Sequence, residues 1–247
     1  MLKIYMLGLV MLFISAQAMS KEVLLAAMDY PPFYGEKLDN YGPLIEVIAK
    51  SYNVMGYDVK INFLPWARAI AWSKSGKVDG MVGVWYSTER AEYFLYSEPI
   101  LSNFIGFYKR KNEDIRYKDY LDLKEQGYKL GSVRGYIQPK GLQESGIPIM
   151  FVSKDLQSFK ILSKNRVDLI VVDKEYSRYI LAQHKFQKYA KNIEWMEPVL
   201  EEKQQHLIIS KEAENPKNKL KDFNEGLQEL KETGVFTEIL KKHAFMQ

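Results

Sequence analysis

Short apolar runs alternate with amphipathic segments along most of the chain. Seven runs have the length and composition of β-strands and predict strands at residues 22–28, 58–65, 78–84, 128–133, 147–152, 167–172 and 205–210. Apolar residues between Leu44 and Tyr52 recur at helical spacing and predict a helix over residues 42–56. Pro65 begins a second helix, which Gly76 closes. This β-α-β-α-β order predicts a parallel-sheet unit whose binding edge lies at the carboxyl ends of the strands.

The second half of the chain repeats the alternation. We expect a helix beginning after Gly135, a helix over residues 155–164 that an Asp155 cap opens, and two final helices separated by Gly234. An extended stretch at residues 104–112 lies between the two units. The pattern therefore predicts an α/β protein with two units rather than a β-sandwich.

The first eighteen residues have the features of an export signal. Lys3 precedes about ten apolar residues, and Ala16-Gln17-Ala18 follows as a site of small residues. The run is shorter than the roughly 20 residues that a membrane span needs. We expect a signal peptide over residues 1–18, cleaved after Ala18, and a periplasmic mature protein; the alternative is a buried N-terminal helix.

The composition of the chain narrows the class of protein further. A chain of 247 residues is long for one core, which favours two modest lobes. Its formal charge of +4 is small and its basic residues are scattered among acids, so we expect no nucleic-acid partner. The absence of cysteine excludes disulfides and a lipid-anchored cysteine. Three widely spaced histidines (His184, His206 and His243) predict no metal site, and we expect no cofactor.

Six segments, taken in order, resemble one known family. They are "YPPF", "GKVDGMV", "STERAEYF", "SEPI", "LGSVRGYIQ" and "LQELKETGVFTEILKKHAF". Each segment alone is weak evidence for a family. Taken together, in this order over the mature chain, they resemble the family 3 solute-binding proteins, the periplasmic receptors of polar amino acid ABC transporters.

The resemblance implies the type II periplasmic binding protein fold, in which two crossover hinge segments join two α/β lobes around a ligand cleft. We place the crossovers near residues 107–112 and 196–205. The first lobe then comprises residues 19–107 and 201–247, and the second comprises residues 108–200.

Arg90 in the "TER" step matches the arginine with which this family binds a ligand carboxylate. A guanidinium suits that role because it offers two parallel charge-assisted hydrogen bonds. The alternative is a surface arginine paired with Glu89 or Glu92, which would contribute little.

Two aromatic residues match rings of the family's cleft. Tyr30 precedes Pro31-Pro32, which stiffen the turn and hold the ring in place. Trp66 stands thirteen residues before Asp79. Rings from separate loops can sandwich a flat or cationic part of a ligand, although either ring could instead belong to the core.

In the second lobe, Asp173 ends a predicted strand and matches the acid that receives the ligand's ammonium group. It could also be the N-cap of the next helix. Gly135, followed by Tyr136 and Ile137, is expected to open a helix whose free N–H groups meet the carboxylate. A plain turn glycine is the alternative.

The chain also departs from the family pattern. Where amino-acid binders usually carry hydroxyls, it has Gly83, Val84 and Trp85 in the first lobe and Ile137 in the second. Trp85 adds aromatic surface to the cleft. Arg68, at a helix start, and Arg134 could each add a positive charge there or lie on the surface. The resemblance therefore supports a small carboxylate ligand better than any particular amino acid.

These observations predict a non-enzymatic solute-binding protein. It would capture a small carboxylate-bearing ligand, an amino acid or a relative, and deliver it as a monomer to an inner-membrane ABC permease. One alternative is a ligand sensor that docks on a membrane signalling receptor. A dehydratase-like enzyme on the same fold is less favoured, because only Asp173 or Glu144 could serve as its buried acid.

Overall fold

The structure, a computed structural model, describes residues 21–134 and 136–245. These residues form nine strands of one mixed sheet. The strands are β1 (Lys21–Ala27), β2 (Tyr57–Phe63), β3 (Gly80–Trp85), β4 (Phe94–Tyr96), β5 (Leu101–Arg110), β6 (Leu130–Val133), β7 (Ile149–Val152), β8 (Leu169–Asp173) and β9 (Ile193–Ser210). They lie in the order β2-β1-β3-β9-β5-β8-β6-β7, and β4 pairs with β9.

Helices occupy most of the connections. They are α1 (Pro43–Val54), α2 (Trp66–Lys74), α3 (Thr88–Ala91), α4 (Tyr120–Glu125), α5 (Asp155–Ser163), α6 (Lys174–Ala182), α7 (Gln187–Ala190), α8 (Pro216–Glu232) and α9 (Val235–Lys242). Across the part of the chain that the structure describes, none of them is long and apolar enough to cross a membrane.

The first half of the molecule contains β1 to β4, α1 to α3, α8 and α9. Strands β2, β1 and β3 are parallel neighbours, with α1 and α2 as their connections, so the predicted β-α-β-α-β unit is confirmed. The predicted apolar stripe of α1 is buried, and this burial holds the helix on the sheet. Its core continues into α8 and α9, including Phe223, Leu227 and Ile239.

The second half contains β6 to β8 and α4 to α7. Strands β7, β6 and β8 are again parallel neighbours. Two apolar clusters cover the two faces of this part of the sheet, one around Phe107 and Leu130 and the other around Phe159 and Ile170.

The long antiparallel strands β5 and β9 join the two halves. They pair from Leu101 with Gln205 to Arg110 with Ile193. One end of β9 also pairs with β3 and β4, whereas the opposite end of β5 pairs with β8. Each strand therefore belongs to both halves, with a register irregularity between Ile105 and Phe107. The lobe boundaries at residues 107/108 and 200/201 stay a prediction.

Two local predictions in the second half are wrong. No helix begins at Tyr136, where the chain runs through bends and turns. Pro139 lacks a backbone N–H and Gly141 has a φ of 80°, and both features oppose a right-handed helix here. Helix α5 does begin at Asp155, but its N-cap is Lys154 and no side chain caps it. The predicted signal peptide lies outside the described residues.

Candidate functional site

A cleft opens between the two halves. Its first-half walls come from the carboxyl ends of β1, β2 and β3 and the loops that follow them, where ligands bind in open α/β sheets. Its second-half wall comes from the loop after β6. The lining residues are Met28, Tyr30, Tyr34, Trp66, Gly83, Trp85, Arg90, Tyr136 and Ile137.

Arg90 supplies the positive charge of this cleft. It lies on α3, which begins where the Ser87 hydroxyl accepts a hydrogen bond from the Arg90 N–H at 3.2 Å. Its guanidinium donates to the Trp85 carbonyl oxygen at 3.2 Å and stacks over the Trp66 ring, 5.1 Å from the centroid. Burial lowers the pKa of Arg90, and the nearby Tyr96 and Glu89 partly offset this effect. Arginine nevertheless stays charged at neutral pH.

No carboxylate among residues 21–134 and 136–245 forms an ion pair with Arg90. The guanidinium has five N–H donors, and one of them is engaged by the Trp85 carbonyl. The ring of Trp66 fixes the plane of the group without using a donor. Donors therefore remain for a partner with two oxygen atoms.

Tyr30 joins the two halves through its ring. It stacks on Tyr176 of α6, with ring centroids 5.0 Å apart and planes 15° apart. On the first-half side it stacks on Phe33 at 5.8 Å. Only 7% of Tyr30 is exposed. Its position is thus set by rings from both halves, and burial raises the pKa of Tyr30.

Tyr34 forms the floor of the cleft beside Tyr30. The two residues exchange backbone hydrogen bonds of 2.8 and 3.2 Å around the proline turn. The Tyr34 ring lies directly over Gly83, where an added Cβ would come 2.5 Å from the phenol oxygen. The glycine in β3 therefore makes room for an aromatic ring.

A hydrogen-bond chain runs from the cleft to Asp173. The Trp85 indole Nε1 donates to Asn103 Oδ1 at 2.6 Å, and Asn103 Nδ2 donates to Asp173 Oδ2 at 2.8 Å. The other oxygen, Asp173 Oδ1, accepts from the Tyr176 N–H at 2.6 Å and caps α6. Burial raises the pKa of Asp173 to about 7. Asp173 lines a smaller cavity that shares Tyr30, Trp85, Tyr136 and Ile137 with the cleft.

The structure brings most of the predicted site residues together. Tyr30, Trp66, Trp85, Arg90 and Ile137 all line the cleft. Asp173 lies in the adjoining cavity and fills the capping role that the sequence offered as its alternative. Gly135 lies outside the described residues.

The other two arginines predicted as candidates, Arg68 and Arg134, are exposed. Arg68 lies on α2 and is not among the described residues that line the cleft. Arg134 borders a wider, open mouth, together with Glu89, Gln143 and Phe151.

Sequence reasoning missed Tyr34, Asn103 and Tyr176 as parts of the site. The signal for Tyr34 is the glycine inside the β3 run, because an isolated strand glycine often marks a close approach. Tyr176 stands three residues after the predicted cap, at the position whose N–H a cap receives. Asn103 is a fully buried polar residue in an apolar strand, and no pattern in the chain marks its partners.

A third tyrosine of the cleft, Tyr136, is tied to a buried acid. The Tyr136 hydroxyl donates to Asp155 Oδ2 at 3.0 Å, and Asp155 is 7% exposed. Burial raises the pKa of Asp155. This contact holds the loop after β6 against α5, so that Tyr136 and Ile137 face the first half.

Fold and cleft together define a class: two-lobed α/β proteins that bind small molecules between their lobes. The family described as "Bacterial extracellular solute-binding proteins, family 3" matches residues 23–246. The chain belongs to this family, as the resemblance of its motifs predicted.

Relatives support the same assignment. A Campylobacter jejuni protein named "Probable histidine-binding protein" is 26% identical over 228 residues, which cover 88% of this chain and 82% of that protein. A crystal structure of a mutant of ArgBP from T. maritima is 23% identical, covers 90% of this chain and 94% of its own, and superposes with a TM-score of 0.70.

A second solved structure is described as a "Histidine Kinase Sensor Domain with Similarity to Periplasmic Binding Proteins". It is 21% identical, covers 90% of this chain and 96% of its own, and has a TM-score of 0.74. These similarities confirm the predicted two-lobed type II periplasmic binding protein fold.

Proposed function

We propose that this protein captures a small carboxylate-bearing ligand, an amino acid or a relative of one, between its two lobes. The observation that carries the proposal is the state of Arg90, a half-buried cation in the cleft that forms no ion pair with any described residue. A carboxylate would accept two parallel hydrogen bonds from it. Each such bond contributes about 1.5–3 kcal/mol.

Binding would proceed by capture and closure. The ligand docks first on Tyr30, Trp66 and Arg90 of the first lobe. The second lobe then covers it with Tyr136 and Ile137. Contacts that require both lobes stabilise only the closed form, so a ligand that adds such contacts shifts the open–closed equilibrium.

The partner proposed for the closed form is an inner-membrane ABC permease, reached from the periplasm. The family's description as extracellular solute-binding proteins supports this location. A membrane signalling receptor would recognise the same closed form, and the likeness to a sensor domain concerns the fold alone. Co-purification from membranes separates the two, because a permease would bring an ATPase with it.

We further propose that the protein binds its ligand without turning it over. A dehydratase-like reaction needs a proton donor that faces the ligand. Glu144 is exposed on a turn, and Asp173 is 3% exposed and held by Asn103 and the Tyr176 N–H in a capping role. An assay for turnover of cyclic prephenate-type acids tests this part, and product formation would refute it.

The test of the binding proposal is Arg90→Ala, studied by isothermal titration calorimetry against L-amino acids and small organic acids. We expect at least tenfold weaker binding of every carboxylate that binds the wild type, because two charge-assisted hydrogen bonds are lost. Arg116→Ala removes an exposed guanidinium far along the chain and is the matched control. Unchanged affinity in a folded Arg90→Ala variant would refute the assignment.

A further inference from the structure

Asn103 is a fully buried polar residue at the junction of the two lobes. It lies on β5, where its backbone pairs with Lys203 of β9. Its amide oxygen accepts from the Trp85 indole at 2.6 Å, and its amide nitrogen donates to Asp173 Oδ2 at 2.8 Å. One side chain is therefore hydrogen-bonded to a residue of each lobe, and those two residues line the cleft and the cavity that adjoins it.

The direction of the hydrogen bonds through Asn103 is fixed by chemistry. An indole nitrogen can only donate, so the amide must present Oδ1 to Trp85. The amide nitrogen then faces Asp173, and because it is a donor, Asp173 Oδ2 has to accept. A proton on that oxygen would leave two donors facing each other. Turning the amide around would instead leave the indole N–H without an acceptor, which is costly for a buried group.

Asn103 therefore favours the ionised form of Asp173. Burial has the largest effect on this carboxyl and raises the pKa of Asp173 to about 7, and the nearby acids Glu175 and Asp155 add to the increase. The hydrogen bonds from the Tyr176 N–H and the Asn103 amide lower the pKa, because they stabilise the negative charge. Loss of the Asn103 donor would shift Asp173 toward its neutral form at neutral pH.

Asp173 also has room for a further partner. Each carboxylate oxygen has two acceptor sites, and Oδ1 and Oδ2 each accept one hydrogen bond from the protein. In the described part of the chain, no cation forms an ion pair with Asp173, and the two basic residues of α6, Lys174 and Arg178, pair with other acids. The cavity that Asp173 lines shares four residues with the cleft that contains Arg90, so the two spaces adjoin.

We propose that Asn103 is a positioning residue for ligand binding: it holds Asp173 in the ionised form, ready to receive the ammonium group of a ligand whose carboxylate binds Arg90. This inference rests on the proposed function, because it assigns a role within the same site. Asn103 is not among the described residues that line the cleft or the cavity, so it acts through Asp173 rather than on the ligand. Trp85 supports this role by fixing the direction of the amide.

The test measures how strongly binding depends on the ammonium group. Calorimetry at neutral pH compares L-arginine with 5-guanidinopentanoate, L-histidine with 3-(imidazol-4-yl)propionate, L-glutamate with glutarate, and L-phenylalanine with 3-phenylpropionate. Any other amino acid that binds is paired with its deaminated acid in the same way. We expect each amino acid that binds the wild type to bind at least about tenfold more tightly than its deaminated partner.

Asn103→Leu removes the amide and keeps a similar volume. Its affinity for the amino acid should fall at least about tenfold more than its affinity for the deaminated acid, because one hydrogen bond to a charged group is lost. Tyr176→Leu is the matched control, since it loosens the contact between the lobes while the backbone N–H still caps Asp173. That variant should weaken both members of a pair alike. In an Asp173→Asn background, Asn103→Leu should have no further effect on the preference.

Trp85→Phe is the second variant and is decisive if Asn103→Leu does not fold. It leaves Asn103 in place but frees the amide to turn and accept a proton from neutral Asp173, so the preference for the amino acid should fall by about threefold or more. An unchanged preference in that variant would overturn the inference.

The outcomes separate the inference from the proposed function. If a folded Asn103→Leu variant weakens both members of a pair equally, or if the wild type shows no preference for the amino acid, the inference is overturned while the proposed function stands. A further effect of Asn103→Leu in the Asp173→Asn background would also overturn it. If no carboxylate binds the wild type, the proposed function fails and the inference fails with it.

Discussion

Gly83→Ala tests the close contact that shapes the floor of the cleft. Gly83 has a φ of 69°, and a Cβ added there would lie 2.5 Å from the Tyr34 phenol oxygen and 2.6 Å from Cζ. Ordinary van der Waals contact begins at 3.4 Å, so the ring would have to move by nearly an ångström. Tyr34 is 2% exposed and its backbone is bonded to Tyr30, so it has little room to do so.

Two penalties should add. A left-handed backbone costs a residue with a Cβ about 1–2 kcal/mol. Overpacking in a filled region costs about 1–3 kcal/mol more. We therefore expect Gly83→Ala to lower the free energy of unfolding by about 2–5 kcal/mol, measured by urea denaturation followed by circular dichroism.

Gly234→Ala is the matched control. Gly234 has a φ of 82°, and an added Cβ would meet nothing within 4 Å. It should cost only the backbone penalty of about 1–2 kcal/mol. Adding Tyr34→Ala to Gly83→Ala removes the ring, and the glycine substitution should then cost no more than the control. Equal losses for Gly83→Ala and Gly234→Ala, or no coupling in the double variant, would show that the contact does not constrain the site.

Three other substitutions probe the link between the lobes. Tyr176→Leu removes the ring that stacks on Tyr30, and such a stacked pair contributes about 0.5–1.5 kcal/mol. Calorimetry should therefore find ligand affinity reduced roughly two- to tenfold. Unchanged affinity would contradict this. Trp85→Phe leaves the buried Asn103 Oδ1 without its indole donor. Urea denaturation should show a free energy of unfolding lower by about 1–3 kcal/mol. A loss below about 0.5 kcal/mol would argue against that hydrogen bond. Asp173→Asn tests the raised pKa. The native carboxyl keeps its proton up to about pH 7, whereas the unfolded one loses it near pH 4, so wild-type stability should fall by about 3–4 kcal/mol relative to the variant as pH rises through this window. A stability difference that does not vary with pH would refute the shift.

Local sequence patterns were sufficient to predict the elements that form because one of their faces is buried or because a single residue ends a helix. The apolar stripe of α1 and the glycine between α8 and α9 act within a few residues, and both are confirmed. The turn after β6 was mispredicted because a strand followed by glycine favours a helix start, whereas the conformation there depends on Pro139 and on a hydrogen bond from Ser132 to Gln138. That bond depends on side-chain placement that no periodicity encodes.

The same distinction applies to the cleft. Arg90, Tyr30 and Trp66 stand in motifs whose register could be read from the chain, and the structure gathers them in one place. The state of Asp173 could not be read in this way. Its burial and its bond to Asn103 depend on how β5 lies beside β8, a contact between residues seventy positions apart. The sequence predicts an acid at the cleft, but the packing of β5 against β8 decides whether the oxygens of that acid can reach a ligand.

The crossover strand does more than connect the lobes. Asn103 lies on β5 and receives a bond from Trp85 of the first lobe while it donates to Asp173 of the second. Asp173 holds the start of α6, and Tyr176 of α6 returns to stack on Tyr30. These contacts form a loop through both lobes beside the cleft. Under the proposed capture and closure, these contacts would favour the closed form before a ligand binds, so a ligand would contribute only the difference in contact between open and closed forms. Loosening any member of the loop should therefore weaken binding of every ligand, whereas changing Arg90 should act on carboxylates alone.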